Sequence, residues 1–294
     1  MSAPRAAIAP LDVAALIAIA AVWGVNNLLT KIAIDGLAPL LLLVVRFAIV
    51  AVVLVGYLKP PDGGWRPLLL VALLTGPLHF GVQYVGLAMA QDLSPMVIGM
   101  QLWIPASVIC ASIFLKERAG PWRTAGIGAA FCGVVVLAAD PVVFDQIGAL
   151  IIVSLAAFTY GAGAVFVRRA PALHPLSYQA WIAVLSLPPL LAGSLAFESD
   201  HLAMMREAPW FVWFAIVFAA LASSVGANAL MFHLVQRYEV SRTTPFLFLS
   251  PIISITLGIL VLDDPLTAQF ALGAALALAG VALTTMADRL ERIS

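Results

Sequence analysis

The feature that most constrains this chain is a nearly unbroken succession of apolar runs, each about 20 residues long. Runs of that length cross the hydrocarbon core of a bilayer as α-helices, and they are too long for membrane-barrel strands. Short turn-forming breaks such as Pro60–Gly64 and Asp264-Pro265 separate them. The pattern predicts an all-α integral membrane protein with ten transmembrane helices, near residues 11–34, 38–58, 66–89, 93–115, 122–139, 146–168, 176–196, 209–236, 241–262 and 268–287.

The composition excludes most soluble folds. Of the 294 residues, 63% are hydrophobic and 10% are charged, which is more apolar surface than a soluble domain of this size could hide from water. The net charge of zero gives no sign of nucleic-acid binding. Cys110 and Cys132 lie in apolar runs without clustered ligands, so we expect both to be small buried residues. The sequence predicts neither a metal nor a cofactor.

Basic residues are distributed unequally between the two ends of the predicted helices. With a cytoplasmic N-terminus, the side opposite the cytoplasm holds only Lys31 and Arg206, whereas Arg46 lies inside the second span. The cytoplasmic ends then hold Arg5, Lys59, Arg66, Lys116, Arg118, Arg123, Arg168, Arg169, Arg237, Arg242, Arg289 and Arg292. The positive-inside rule therefore predicts a multi-pass membrane protein with both termini in the cytoplasm. The membrane that we expect is the bacterial inner membrane.

The two halves of the chain resemble each other. Trp23-Gly24 in the first span matches Tyr160-Gly161 in the sixth. Four further pairs are each 147 residues apart: Ser94 with Ser241, Glu117 with Asp264, Gly126 with Gly273, and Gly133 with Gly280. A repeat of five helices places its second copy upside down in the membrane. The sequence thus predicts one structural unit, in which residues 1–140 and 141–294 form inverted five-helix repeats around a central cavity, as in many transporters.

Several of these residues also belong to a known pattern. Trp23-Gly24, the mid-span Arg46, and the run from Pro105 through Leu115-Lys116-Glu117-Arg118 to Gly126 and Gly133 resemble the EamA type of the drug/metabolite transporter superfamily. The second copy departs from it, with Asp263-Asp264-Pro265 where the family often has Gly-Glu-Arg. The chain is most similar to YddG-like aromatic amino acid exporters. The resemblance implies a ten-helix protein with a central cavity that exports small metabolites by alternating access.

Polar side chains in the middle of a span cost free energy unless they face a cavity or a partner. His79 and Gln83 are four residues apart, so they share one helix face. We predict a substrate site formed by Trp23, Asn26, Asn27, His79, Gln83, Met100, Gln101, Tyr160, Asn228, Phe246 and Ser250. The alternative is structural: a histidine bonded to a neighbouring helix, and asparagine amides that hold helices together.

This predicted lining suits a zwitterion with an aromatic or other uncharged side chain, because rings offer stacking surface while amides and hydroxyls bind carboxylate and ammonium groups. No Asp or Glu lies at mid-span as a proton relay, so we expect a uniporter. Arg46 is expected to be a structural anchor that pairs with helix-end carbonyls or snorkels. A multidrug or cationic compound exporter, a nucleotide-sugar carrier and a lipid-type carrier remain as alternatives.

The sequence does not favour an enzyme, because neither a Gly-x-Ser-x-Gly nor a His-Glu-x-x-His motif occurs. The expected partners are an amino acid-like small molecule and the lipid bilayer, without nucleic acid. The glycines of the repeat, spaced seven residues apart, predict close helix packing. That packing could join the two repeats within one chain or form a dimer face, so both a monomer and a homodimer fit.

Overall fold

The structure is a computed structural model that describes residues 8–61, 64–117, 119–167, 173–238, 243 and 246–290. These residues form helices and their connections, and no strand occurs among them. The principal helical segments are α1 (Pro10–Ile34), α2 (Pro39–Val53), α3 (Trp65–Met89), α4 (Leu93–Phe114), α5 (Pro121–Ala138), α6 (Ile147–Val167), α7 (Pro175–Phe197), α8 (Trp210–Phe218, Ala219–Ala227 and Asn228–Arg237), α9 (Leu249–Val261) and α10 (Ala268–Leu290).

The predicted multi-pass architecture is confirmed for the described residues. Eight of the helical segments are long and apolar enough to cross a membrane, and α2 and α9 are shorter apolar helices. The sequence overestimated α2, because the helix gives way to a 3₁₀ turn at Val55–Tyr57. Part of the predicted ninth span, including Ser241 and Arg242, lies outside the described residues. Helices α1, α2, α5 and α7 begin with proline, whose missing N–H is harmless in a first turn.

Three spans are not regular α-helices throughout. In α3, Gly76-Pro77 ends the first part, and Pro77–Gly81 continues as a π-helical segment, because proline cannot donate to the carbonyl one turn earlier. A second π-helical segment, Ala219–Ala227, lies within α8, the corresponding helix of the second repeat. In α4, a turn at Gln101 and Leu102 separates Leu93–Met100 from Trp103–Phe114.

The helix contacts follow the symmetry of the predicted repeat. Helix α1 packs against α9 and α8, and its counterpart α6 packs against α4 and α3. Gly24 and Gly161 occupy matching positions in these contacts. A Cβ on Gly24 would lie 3.1 Å from Ser250 O, and one on Gly161 would lie 2.8 Å from Trp103 O. Helix α2 packs on α7 and α5 packs on α10, so each pair joins equivalent helices of the two repeats.

The repeat is also visible in the backbone where α4 and α9 end. Lys116 and Asp263, which are 147 residues apart, both adopt left-handed conformations with φ of 58°. In each copy a backbone hydrogen bond closes the turn after the helix. It runs from Glu117 N to Ala111 O in the first copy and from Asp264 N to Gly258 O in the second. A left-handed residue directly after the last helical turn is a common way for a helix to end. The match at Glu117 and Asp264 therefore reflects a shared backbone turn.

Glycines join α5 and α10 at backbone contact. A Cβ on Gly133 would lie 2.7 Å from Gly273 O, and a Cβ on Gly280 would lie 2.7 Å from Gly126 O. Because Gly126 meets Gly280 and Gly133 meets Gly273, the two helices run antiparallel, as inverted repeats require. Of the two alternatives, the structure thus supports packing between the repeats of one chain.

The outer surface of the helices is apolar. Large exposed side chains include Val135, Leu155, Leu195 and Leu260, consistent with contact to lipid tails. The expectation that both cysteines are buried was wrong for Cys132, which is exposed on α5, whereas Cys110 is buried. Apolar periodicity could not distinguish a residue facing lipid from one facing another helix, because both environments are apolar.

Candidate functional site

A cavity of about 490 Å³ lies between the two repeats. Its wall comes from the middle of α1, the last part of α8 and the second part of α4. The ends of α5, α6, α9 and α10 that lie near residues 116–121 complete it. Its lining residues are Trp23, Gln101, Trp103, Ile104, Ser107, Val108, Ala111, Ser112, Glu117, Ala119, Arg123, Ala164, Val165, Met231, Leu247, Phe248, Ser250, Pro251, Thr284 and Thr285. We call the end with the Lys116–Pro121 connection the mouth side and the opposite end the closed side.

Polar contacts between helix ends seal the closed side. Asp264 of the second repeat accepts hydrogen bonds from Ser94 N (2.6 Å) and Ser94 Oγ (2.5 Å) of the first. Glu198 accepts from Leu40 N (2.7 Å) at the start of α2, and Lys31 Nζ donates to Ala90 O (2.7 Å). These groups satisfy helix-end donors and acceptors that have no partner within their own helices.

Three of the predicted site residues lie in the cavity wall. Trp23 comes from α1, Gln101 from the turn within α4, and Ser250 from α9. Gln101 Nε2 lies 3.5 Å from Val97 O of its own helix. The combination of an indole, an amide and a hydroxyl is the one that the sequence predicted for a zwitterion.

His79 and Tyr160 lie deeper than the cavity wall, behind Trp103. The rings of Trp103 and Tyr160 have centroids 5.4 Å apart, and those of Tyr160 and His79 are 4.7 Å apart. His79 Nδ1 is 2.8 Å from Ala156 O on α6. His79 thus has the hydrogen bond to a neighbouring helix that was the structural alternative, and it also supports an aromatic ring that contacts the cavity wall.

Gln83 and Met100 contact each other, with Gln83 Nε2 3.1 Å from Met100 Sδ. The other amide atom, Gln83 Oε1, is buried without a hydrogen-bond partner among the described residues, and the same holds for Asn26 Oδ1. Buried polar atoms are usually paired, so these two acceptors could receive hydrogen bonds from a ligand. They are the strongest evidence in the structure for a polar pathway beyond the cavity.

The remaining predicted residues have structural contacts. Asn27 Nδ2 donates to Ser254 Oγ (3.0 Å) and joins α1 to α9. Asn228 Nδ2 donates to Ser224 O (3.0 Å) one turn earlier in α8. Phe246 packs with Trp23 in the small apolar cluster around Leu16. For Asn27 the structure supports the alternative in which an amide holds two helices together.

Sequence reasoning missed several residues of the cavity wall. Ile104, Val108, Ala111 and Ser112 continue the helical stripe that starts at Gln101, so the period of the helix could have identified them. The polar pair Thr284 and Thr285 near the end of α10 was a second available signal. Glu117 and Arg123 lie at the mouth, where they looked like loop charges in the sequence.

The expected anchoring of Arg46 was wrong in its partners. The guanidinium neither reaches the membrane surface nor donates to a helix-end carbonyl among the described residues. It is 3% exposed and contacts the hydroxyl of Tyr84 and the Oγ of Ser224. No group of three or more His, Cys, Asp or Glu that could bind a metal ion occurs in the described ranges.

Comparison with known proteins gives a consistent result. Two proteins with the name "Probable amino-acid metabolite efflux pump" are similar to this chain along nearly its whole length. The Salmonella typhimurium protein is 25% identical over 281 residues, which cover 92% of this chain and 93% of that protein. The Escherichia coli protein is 24% identical over 274 residues, which cover 88% and 90%.

A solved structure described as "Crystal structure of protein" has the same fold, with a TM-score of 0.63 at 19% identity over 96% of this chain and 99% of that chain. The pattern of the EamA-like transporter family matches this sequence twice, over residues 11–139 and 147–286. The two matches correspond to the two sets of five helices, and together they confirm the resemblance seen in the sequence. The chain therefore belongs to the EamA-like transporter family of multi-pass membrane proteins.

Proposed function

We propose that this protein exports amino acids with aromatic or other uncharged side chains across the bacterial inner membrane, as a uniporter that works by alternating access. The observation that carries the proposal is the chemistry of the cavity. Its wall combines two indole rings, an amide and several hydroxyls, with one acid and one base at the mouth. A zwitterion with an apolar side chain matches that set of groups.

Export is the proposed direction, and the substrate gradient sets it in a uniporter. By the distribution of Lys and Arg, the mouth side faces the cytoplasm and the closed side faces outward. A cavity open to the cytoplasm would take up substrate there, and rearrangement of the polar contacts on the closed side would release it. The efflux-pump names of two relatives agree with this direction.

Counterflow uptake in proteoliposomes tests the proposed substrate. We expect saturable uptake of labelled L-phenylalanine. Unlabelled neutral amino acids should inhibit this uptake, whereas a cationic dye or a nucleotide sugar should not. Gln101→Ala should reduce uptake at least tenfold, because it removes the amide of the cavity wall that is proposed to contact the substrate. Gln269→Ala is the matched control, since this amide lies at the closed end of α10 and bonds to Val136 O.

His79→Ala should also reduce uptake, because Tyr160 and Trp103 would lose the ring that supports them. Unchanged uptake in both the Gln101 and the His79 variants would contradict the proposal that substrate binds in this cavity. Transport that requires an imposed proton gradient would contradict the uniport mechanism, and uptake of the dye alone would favour a cation exporter.

A further inference from the structure

Arg46 is a buried cation near the middle of α2. Its Nη2 donates to Ser224 Oγ at 2.9 Å, and its Nε lies 3.3 Å from the same oxygen. Its Nη1 donates to the hydroxyl of Tyr84. The guanidinium carbon also lies 5.1 Å from the centre of the Phe80 ring and 6.0 Å from that of Tyr84. The contacts of the guanidinium are therefore neutral hydroxyls and ring faces.

The partners found for this guanidinium among the described residues include no carboxylate. A guanidinium has five N–H donors, and three of those of Arg46 have acceptors among the described residues. One N–H remains on each terminal nitrogen, so both terminal nitrogens keep a donor for an incoming carboxylate. An unpaired charge within a membrane protein is costly to maintain, so a partner anion is expected from outside the chain.

The position of Arg46 connects it to the cavity. A continuous series of rings leads from Trp103 in the cavity wall through Tyr160 and His79 to Phe80, which covers the guanidinium. Phe80 lies in the π-helical segment of α3, and Ser224 lies in that of α8. Such segments are frequent at functional sites, because the extra residue in the turn redirects side chains. Irregular turns from both repeats thus surround one charge.

We propose that Arg46 recognises the carboxylate of the transported molecule, at a second subsite that the substrate reaches after it leaves the cavity toward the closed side. This inference rests on the proposed function and names the group that selects for a carboxylate. Arg46 would be a specificity-determining residue, with Ser224 and Tyr84 holding the guanidinium in place. A carboxylate would form two hydrogen bonds with it, and a neutral amide could not.

The test compares two ligands that differ only at that group. Counterflow of labelled L-phenylalanine in proteoliposomes is measured with increasing concentrations of unlabelled L-phenylalanine or of L-phenylalaninamide. The readout is the ratio of the two half-inhibitory concentrations. We expect the wild type to prefer the acid by about tenfold to a hundredfold, since hydrogen bonds to charged groups have that strength. Arg46→Gln should bring the ratio close to one, and Arg46→Lys should keep part of the preference.

Lys31→Gln is the matched control, because it removes another buried cation but should leave the ratio unchanged. If Arg46→Gln does not transport, ligand-induced shifts of the melting temperature of the purified variants replace counterflow. A variant lacking Arg46 that still prefers the acid overturns the inference and assigns Arg46 a packing role. A wild type that responds to neither ligand overturns the proposed amino acid substrate, which is a separate result.

Discussion

At the scale of single residues, the closed side depends on side chains that satisfy backbone groups of a different helix. Gln146 is one of them: its Oε1 accepts from Gln91 N (3.0 Å) and Asp92 N (3.1 Å), and its Nε2 donates to Asp92 Oδ2 (2.5 Å). Partial burial raises the pKa of Asp92, the hydrogen bond from Gln146 lowers it, and the nearby Asp264 raises it again, with Lys31 opposing. Burial dominates, so the charged form of Asp92 is disfavoured in this structure.

This raised pKa predicts a dependence of stability on pH. A carboxyl whose pKa is higher in the folded than in the unfolded protein stabilises the fold at pH values below its ordinary pKa, near 3.8. That contribution disappears as the pH rises through the raised value. We therefore expect Asp92→Asn to increase the melting temperature at pH 7 by about 1–3 °C, with a smaller gain toward pH 4.

Thermal unfolding of the purified protein in detergent across pH 4–8 measures this effect. Asp145→Asn, an exposed acid on the same side, should keep the shape of the wild-type curve. A gain in Asp92→Asn that is equally large at every pH would show that the effect does not come from titration of this carboxyl.

Sequence patterns predicted part of this residue-scale picture. Depth within a span identified Gln101, Trp23 and Ser250, because a polar or amphipathic group in an apolar run has few places to face. The same rule could not separate them from Asn27, whose amide joins α1 to α9. Both roles place a polar group inside the protein, and only the positions of neighbouring helices distinguish a cavity from a contact.

At the scale of helices, the backbones of α5 and α10 approach each other closely in the described part of the chain. A Cβ on Gly133 would fall on the backbone of α10, 2.6 Å from Ala277 Cα. Gly128, on the same helix, has no atom within 4 Å of the equivalent position. These two glycines therefore allow the packing contribution to be separated from helix propensity.

We expect Gly133→Ala to destabilise the protein by about 1–3 kcal/mol, because the methyl group would force the helices apart. Gly128→Ala should stabilise it by up to about 1 kcal/mol, because alanine is the better helix former. Chemical or thermal unfolding in detergent gives both values under the same conditions. Equal effects of the two substitutions would argue against backbone contact at Gly133.

The glycine pattern predicted that α5 and α10 would pack closely, but it left open whether the contact lies within one chain. Packing within one chain and packing between two chains have the same glycine spacing in the sequence. Only the positions of the helices in the structure show the contact within the chain. Hydropathy alone did not show the break in α3, because Gly76-Pro77 lies within one long apolar run and only the proline marks it. Hydropathy averages over a window and does not detect the loss of one hydrogen bond.

At the scale of the whole molecule, the structure is asymmetric although its repeats are alike. Among the described residues the cavity lies toward the mouth side, while contacts of Asp264, Glu198 and Lys31 join helix ends on the other side. The sequence could not predict this state, because inverted repeats allow either side to be open. It did predict the fold itself, through the length of the runs and the repeat at 147 residues.

This asymmetry predicts which positions react with a membrane-impermeant thiol reagent. In a variant with Cys110 and Cys132 replaced by serine, a cysteine at Ser112 should be labelled from the mouth side, because Ser112 lines the cavity. A cysteine at Thr30, which is 5% exposed on the closed side, should react at least tenfold more slowly. Labelling of inside-out vesicles compared with intact cells measures the difference and the orientation together.

Faster labelling of the Ser112 position from outside intact cells would reverse the proposed orientation. Protection of this cysteine by L-phenylalanine would connect the labelled position to the substrate. A cysteine at Ser199, which is exposed at the end of α7, is the control that should be labelled only from outside.

The backbone contact between α5 and α10 has a consequence for measuring motion. A Cβ at any of the four glycines would overlap the facing helix, so sliding would bring residues that carry a Cβ into positions where only glycine fits. We expect α5 and α10 to keep the same relative position while the other helices move. Two spectroscopic probes, one on α5 and one on α10, should therefore keep a constant separation through the transport cycle. That separation can serve as the internal reference for distances measured between other helices.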